Sequence, residues 1–116
     1  CHISFVKFSS YNKEASTGKV NEVIGLNIDP ADRHVIVVED IVDTGITMNH
    51  LIQALKKKRP KSVQVATMFF KPSACQEKVQ LDHVGLNVPD RFLVGYGLDY
   101  DGFGRNFQDV YELVNK

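Results

Sequence analysis

HVIVVEDIVDTGITMNHLIQALKKK, residues 34–58, contains a strand, a turn and a helix in one continuous stretch. HVIVVED places four branched apolar residues in a row, Val35 to Val38, the pattern of a strand buried on both faces of a parallel sheet. The period then changes. Met48, Leu51, Ile52 and Leu55 fall at i, i+3, i+4 and i+7, one face of an amphipathic helix that Pro60 stops. KKKR at 56–59 lies in the last turn, where cations suit the negative end of the helix dipole and the solvent. Between strand and helix, Glu39, Asp40, Asp43, Thr44 and Thr47 crowd one turn with more acids and hydroxyls than a connection needs.

Working outward, KSVQVATMFF (61–70) reads as a second buried strand, VQLDHVGLNV (79–88) as a third, and RFLVGYGLDY (91–100) as a fourth that runs into a turn rich in Gly and Asp. The last stretch, NFQDVYELVNK (106–116), has modest helical character. Upstream, HISFVKF (2–8) and KVNEVIGLNI (19–28) look like strands, joined by the polar SSYNKEASTG (9–18) as a long exposed hairpin loop. DPADR (29–33) makes a turn. Strand, helix, strand with short joins predicts an α/β sheet of parallel strands flanked by helices.

The 116 residues, 43% of them hydrophobic, suit one domain with a core. Lys+Arg and Asp+Glu each number 14, so no overall charge points to a nucleic acid or an acidic membrane. A charged ligand must be handled locally. Cys1 and Cys75 are far apart and form no C-x-x-C, which predicts neither a zinc site nor a disulfide framework and fits a cytoplasmic protein. No apolar run has the length of a membrane span, and the start lacks the layout of a signal peptide.

The turn has the makings of a phosphate cradle beyond the carboxyl end of a parallel strand. The following helix offers free backbone N–H groups and a positive dipole end, Gly45 allows close approach, and Thr44 and Thr47 add hydroxyls. It is not a Walker loop, because no Lys follows the glycine. Carboxylates touching a phosphate would repel it, so Glu39 and Asp40 must face something else: ribose hydroxyls, which donate, and Mg²⁺, which prefers oxygen ligands. The plain alternative is that Asp43 or Thr44 caps the helix and that Glu39 and Asp40 are solvated strand-end residues.

EDIVDTGIT (39–47) after a hydrophobic strand closely resembles the phosphoribosyl pyrophosphate motif of type I phosphoribosyltransferases. SFVKFSSY (4–11), STGKV (16–20), FFKP (69–72) and RFLVGYGLDYDGFGR (91–105) resemble the hypoxanthine-guanine branch of that family, so the likeness covers almost the whole chain. It implies the type I fold, with a flexible hairpin lid over 1–28 and a sheet core over 34–116 carrying the sugar-phosphate and purine sites. It also implies Mg²⁺ as cofactor, with phosphoribosyl pyrophosphate and a 6-oxopurine as substrates. Position by position, Glu39 and Asp40 would hold the ribose hydroxyls and support the metal. Asp43, Thr44, Gly45, Ile46 and Thr47 would bind the 5′-phosphate, and Asp43 would also exchange a proton at purine N7. Lys71 would meet the 6-oxo group, Phe92 would stack on the base, and the backbone of Leu93 would meet the purine edge. Asp99 would contribute to a second Mg²⁺ near the purine 2-position, Arg105 would contact pyrophosphate, and Ser10 with Tyr11 would close the hairpin over the site. Taken alone, Lys71 is a solvent-facing strand end, Phe92 a core residue, and Asp99 and Arg105 parts of a surface turn.

The family carries a further segment ahead of the hairpin. The resemblance therefore predicts that residues 1–116 are a partial domain with its N-terminal part missing, with truncation or an incomplete record the leading explanation, beside a processed protein whose other piece stays associated and a natural short form that dimerises to complete itself. The leading expectation is an enzyme of purine salvage that forms IMP or GMP, as a homodimer or homotetramer, binding neither nucleic acid nor membrane. The alternatives are a regulatory or nucleotide-binding module without turnover, and a catalytically impaired fragment. A pyrimidine or orotate transferase has no use for Lys71 followed by the FLVGYGLDYD base site.

Overall fold

The computed structural model describes residues 1–9 and 21–114. The chain opens with β1 (Lys7–Ser9) paired antiparallel with β2 (Asn21–Ile24), so the expected hairpin strands are present but shorter, and residues 1–6 form no strand. The polar loop between them, with Ser10 and Tyr11, lies outside the described residues.

The main sheet follows. β3 (His34–Val42) leads through α1 (Ile46–Lys57) to β4 (Ser62–Phe70), which lies parallel to β3 from His34↔Ser62 to Val42↔Phe70. β5 (His83–Asn87) pairs parallel on the other side of β4, giving the order β3-β4-β5. The helix buries Met48, Ile52 and Leu55, as its spacing predicts. Met48 and Ile52 pack with Val42 and Val65, and Val65 is fully buried at the centre of the sheet. After Lys58 the chain leaves the helix through Arg59 at φ +56°, and Pro60 cannot continue it.

Three expectations change. β3 is not buried on both faces: Ile36 and Val38 are 64% and 79% exposed, because the single described helix covers one side of the sheet. RFLVGYGLDY adds no strand to that sheet. Only β6 (Leu93–Val94) is extended, and it pairs antiparallel with β7 (Tyr111–Glu112), the segment expected to be helical. The reason is glycine spacing and local bonding. Gly95, Gly97, Gly102 and Gly104 all take positive φ, which breaks the strand into turns, and Leu113 N–H then donates to Phe92 O to close the ribbon.

Candidate active site

β3 delivers Glu39 and Asp40 to its carboxyl end, and Asp43 and Thr44 follow in bends before the helix. Gly45 stands at the helix entry at φ +83°, a left-handed conformation that L side chains rarely adopt. A Cβ there would lie 3.3 Å from both Cys75 Sγ and Glu77 O, so the turn also needs glycine for close packing. The segment after β4 braces the turn from outside. Gln76 N–H donates to Thr44 O (3.0 Å), and Asn49 Nδ2 donates to Glu77 Oε2 (3.0 Å) and Lys78 O (3.2 Å).

No side chain closes the N-terminus of α1, and its first turn holds no acid. Thr44 Oγ1 makes only a long contact with Ile46 N–H, at 3.4 Å. Asp43 is therefore not a helix cap. The first-turn N–H groups face an open depression of about 400 Å³ that gathers Glu39, Asp40, Asp43, Thr44, Gly45 and Thr47, with Lys7 on its rim.

Asp43 instead meets Lys71, at the end of β4. Lys71 is 7% exposed, not solvent-facing, and its Nζ donates to Asp43 Oδ2 at 3.2 Å. A second carboxylate, Asp90, stands 3.8 Å away through Oδ1. The Lys71 backbone N–H donates to Val42 O (3.0 Å), which locks the ends of β3 and β4 together and sets the two side chains face to face.

At Glu39 and Asp40 two carboxylates stand side by side. Loss of water around the Glu39 carboxyl, then a hydrogen bond and the like charge from Asp40, push its pKa from the ordinary 4.5 up to about 7. The residue as a whole remains exposed, so a cation can reach it from solvent. This donor set fits Mg²⁺, which takes one or two carboxylates and completes its shell with waters and ligand phosphates. Among the described residues no group of three or more His, Cys, Asp or Glu is arranged to hold a metal by itself, so any ion here depends on its ligand.

Phe92 is 51% exposed and meets Tyr100 edge to face, with ring centroids 5.6 Å apart, leaving its own ring open to a flat partner. Leu93 is half-buried in β6. Asp99 and Arg105 engage each other: Arg105 Nη2 lies 2.8 Å from Asp99 Oδ1, Nη1 donates to Gly97 O (2.8 Å), and Gly102 N–H donates to Asp99 Oδ2 (2.8 Å). No ion pair among the described residues links either of them to Glu39 or Asp40. The structure thus brings Asp43 and Lys71 together with the acidic turn, and keeps Asp99 and Arg105 as a separate pair. Sequence reasoning missed Asp90 and Lys7. The first is signalled only by its place two residues before Phe92, and the second by nothing beyond its strand.

The sequence profile of the family described as Phosphoribosyl transferase domain matches residues 1–101. The chain is 37% identical over 105 residues to the hypoxanthine-guanine phosphoribosyltransferase of Bacillus subtilis (strain 168), covering 90% of this chain and 58% of that protein. It is 39% identical over 110 residues to that of Aquifex aeolicus (strain VF5), covering 94% and 62%. A crystal structure of a hypoxanthine phosphoribosyltransferase from Staphylococcus aureus superposes with a TM-score of 0.88 at 32% identity, over 96% of this chain and 61% of that one. The chain therefore spans about three fifths of the length of these relatives.

Proposed function

The chain belongs to the phosphoribosyl transferase domain family, and from that premise we propose that it carries the sugar-phosphate and purine sites of a hypoxanthine-guanine phosphoribosyltransferase. The protein would transfer the 5-phosphoribosyl group of phosphoribosyl pyrophosphate to N9 of a 6-oxopurine. The observation that carries this reading is the buried Lys71 ammonium bonded to Asp43 beside an uncapped helix N-terminus. It joins a phosphate-binding turn to a hydrogen-bond donor suited to a 6-oxo group.

In the reaction the bond from C1′ to the pyrophosphate oxygen breaks and the bond from C1′ to N9 forms. The proton leaving purine N7 passes to the Asp43 carboxylate. The N–H groups of the first turn of α1, with Thr44 and Thr47, bind the 5′-phosphate and fix C1′ in line. Lys71 donates to the 6-oxo group, where negative charge gathers, and the open ring of Phe92 supports the base. When bound, Mg²⁺ supplies charge neutralisation at the departing pyrophosphate, and Glu39 and Asp40 would hold it. Arg105 would meet pyrophosphate and Asp99 would help hold a second Mg²⁺, and here the two engage each other at 2.8 Å.

Among the described residues no helix is long and apolar enough to cross a membrane. Free Cys1 and Cys75 accord with a reducing cytoplasm, and homodimers or homotetramers are the assembly to be sought by light scattering. The deciding assay offers the intact protein hypoxanthine, guanine, xanthine, uracil and orotate with phosphoribosyl pyrophosphate and Mg²⁺. Turnover of a 6-oxopurine supports the assignment, whereas uracil turnover without purine turnover refutes it. Asp43→Asn should lower kcat about 10²–10⁴-fold while changing nucleotide affinity far less. Equal losses in both would reduce Asp43 to a loop-holding role and favour a binding module.

A further inference from the structure

Lys71 carries two carboxylates from two different loops, and the reaction described above uses only one of them. Asp43 belongs to the sugar-phosphate turn. Asp90 belongs to the segment between β5 and β6 that leads to Phe92. The backbone aims Asp90 at the ammonium. Val88 N–H donates to Phe70 O (2.8 Å), carrying the β4–β5 pairing one step beyond Asn87, and Arg91 N–H donates to Pro89 O (2.8 Å) to turn the chain there. Asp90 is left against the end of β4, 3.8 Å from Lys71 Nζ, two residues ahead of the aromatic ring.

We propose that Asp90 is a positioning residue that holds the Lys71 ammonium on the base when Asp43 turns to its proton transfer. The inference rests on the transferase reading. An ammonium has three donors and no acceptor; here it donates to Asp43, has a donor free for the 6-oxo group, and has Asp90 as a second negative charge 3.8 Å away. Once Asp43 accepts the N7 proton, it becomes neutral and its pull on Lys71 weakens. Asp90 then remains the counter-charge of a nearly buried cation and stops the side chain swinging away. Its side chain is 59% exposed, so the carboxylate stays charged in contact with solvent while it faces the ammonium. A fixed donor also rejects a 6-amino base, which presents a donor where Lys71 requires an acceptor. Asp90 thereby couples the Phe92 loop to the discrimination of the 6-substituent.

The test compares the intact protein with Asp90→Ala and Asp90→Glu. Asp90→Ala should raise the KM for hypoxanthine about tenfold and leave the KM for phosphoribosyl pyrophosphate within about twofold. Adenine should become a relatively better competitor, and Asp90→Glu should restore most of the loss. Without substrates, and with Asp43 made permanently neutral by Asp43→Asn, reductive methylation of Lys71 followed by mass spectrometry should be several times faster in Asp43→Asn/Asp90→Ala than in Asp43→Asn, roughly in proportion to the freed amine. Unchanged methylation overturns the proposal. So does an unmoved hypoxanthine KM, or a joint rise in both KM values that Asp90→Glu does not rescue. If the parent protein turns over no 6-oxopurine, the transferase reading fails, and methylation alone still decides whether Asp90 holds Lys71.

Discussion

Removing either end of the Lys71–Asp43 pair should affect stability unequally, because the two ends are unequally buried. The Lys71 side chain is 8% exposed and that of Asp43 is 52% exposed. Asp43→Ala strands a nearly buried ammonium. The full cost of such a stranded charge is about 3–5 kcal/mol, but Asp90 remains at 3.8 Å and shares the load, so the expected loss is about 1–2 kcal/mol. Lys71→Met removes the buried charge itself, fills a similar volume, and leaves Asp43 in contact with water. Its expected change is within about 1 kcal/mol in either direction. Urea unfolding of the intact protein at constant pH and ionic strength measures both. Function should divide the other way. Lys71→Met should cost purine affinity about 1.5–3 kcal/mol, roughly ten- to 150-fold, because a charged donor to the 6-oxo group is gone. If Lys71→Met destabilises as much as Asp43→Ala, the ammonium is a net stabiliser, and the argument from unequal burial is refuted.

Gly45→Ala should cost about 1–2 kcal/mol in urea unfolding, from the left-handed φ alone, and should weaken ribose 5-phosphate binding as the new methyl presses on Cys75 and Glu77. Unaltered stability would show that the turn relaxes freely. The raised pKa of Glu39 means that its folded-state contribution is fully present below about 4.5 and is lost as pH rises through about 7. In metal-free protein, stability should therefore fall across that window, Glu39→Gln should flatten the slope, and Mg²⁺ should bind better toward pH 8; identical pH slopes for the two proteins would rule this out. Asp82 behaves oppositely. Its carboxylate accepts Val65 N–H at 2.7 Å, which holds its pKa below 3.8, so its contribution is present above 3.8 and is lost as pH falls further. Asp82→Asn should be less stable at neutral pH, with the difference closing in acid.

Local pattern sufficed for the parts of this protein built from neighbours in sequence. The change from a branched run at 35–38 to the helical spacing of Met48, Ile52 and Leu55 located β3 and α1, because periodicity records which side of an element meets the core. The acids and hydroxyls of residues 39–47 marked the turn that lines the depression at the helix N-terminus for the same reason, since such a cradle is made by consecutive backbone. The C-terminal stretch misled the same method. A helical count at 106–116 was outweighed by pairing with residues 93–94, and strand-like 91–100 was cut by glycines whose positive φ only the surrounding turns required.

What tertiary structure alone decided is the partnership of charges. Lys71 reaches Asp43 across 28 positions, and nothing local in FFKP distinguishes a buried ammonium from a solvated one. The closing of Asp99 onto Arg105, the openness of Phe92 and the second carboxylate at Asp90 are likewise products of how loops at the sheet's end meet. Burial and pairing energies depend on everything within a few ångströms, whereas periodicity depends only on the next turn of chain. Sequence therefore determined which turn gathers the acids and hydroxyls at the helix entry, and the fold determined which cation faces them.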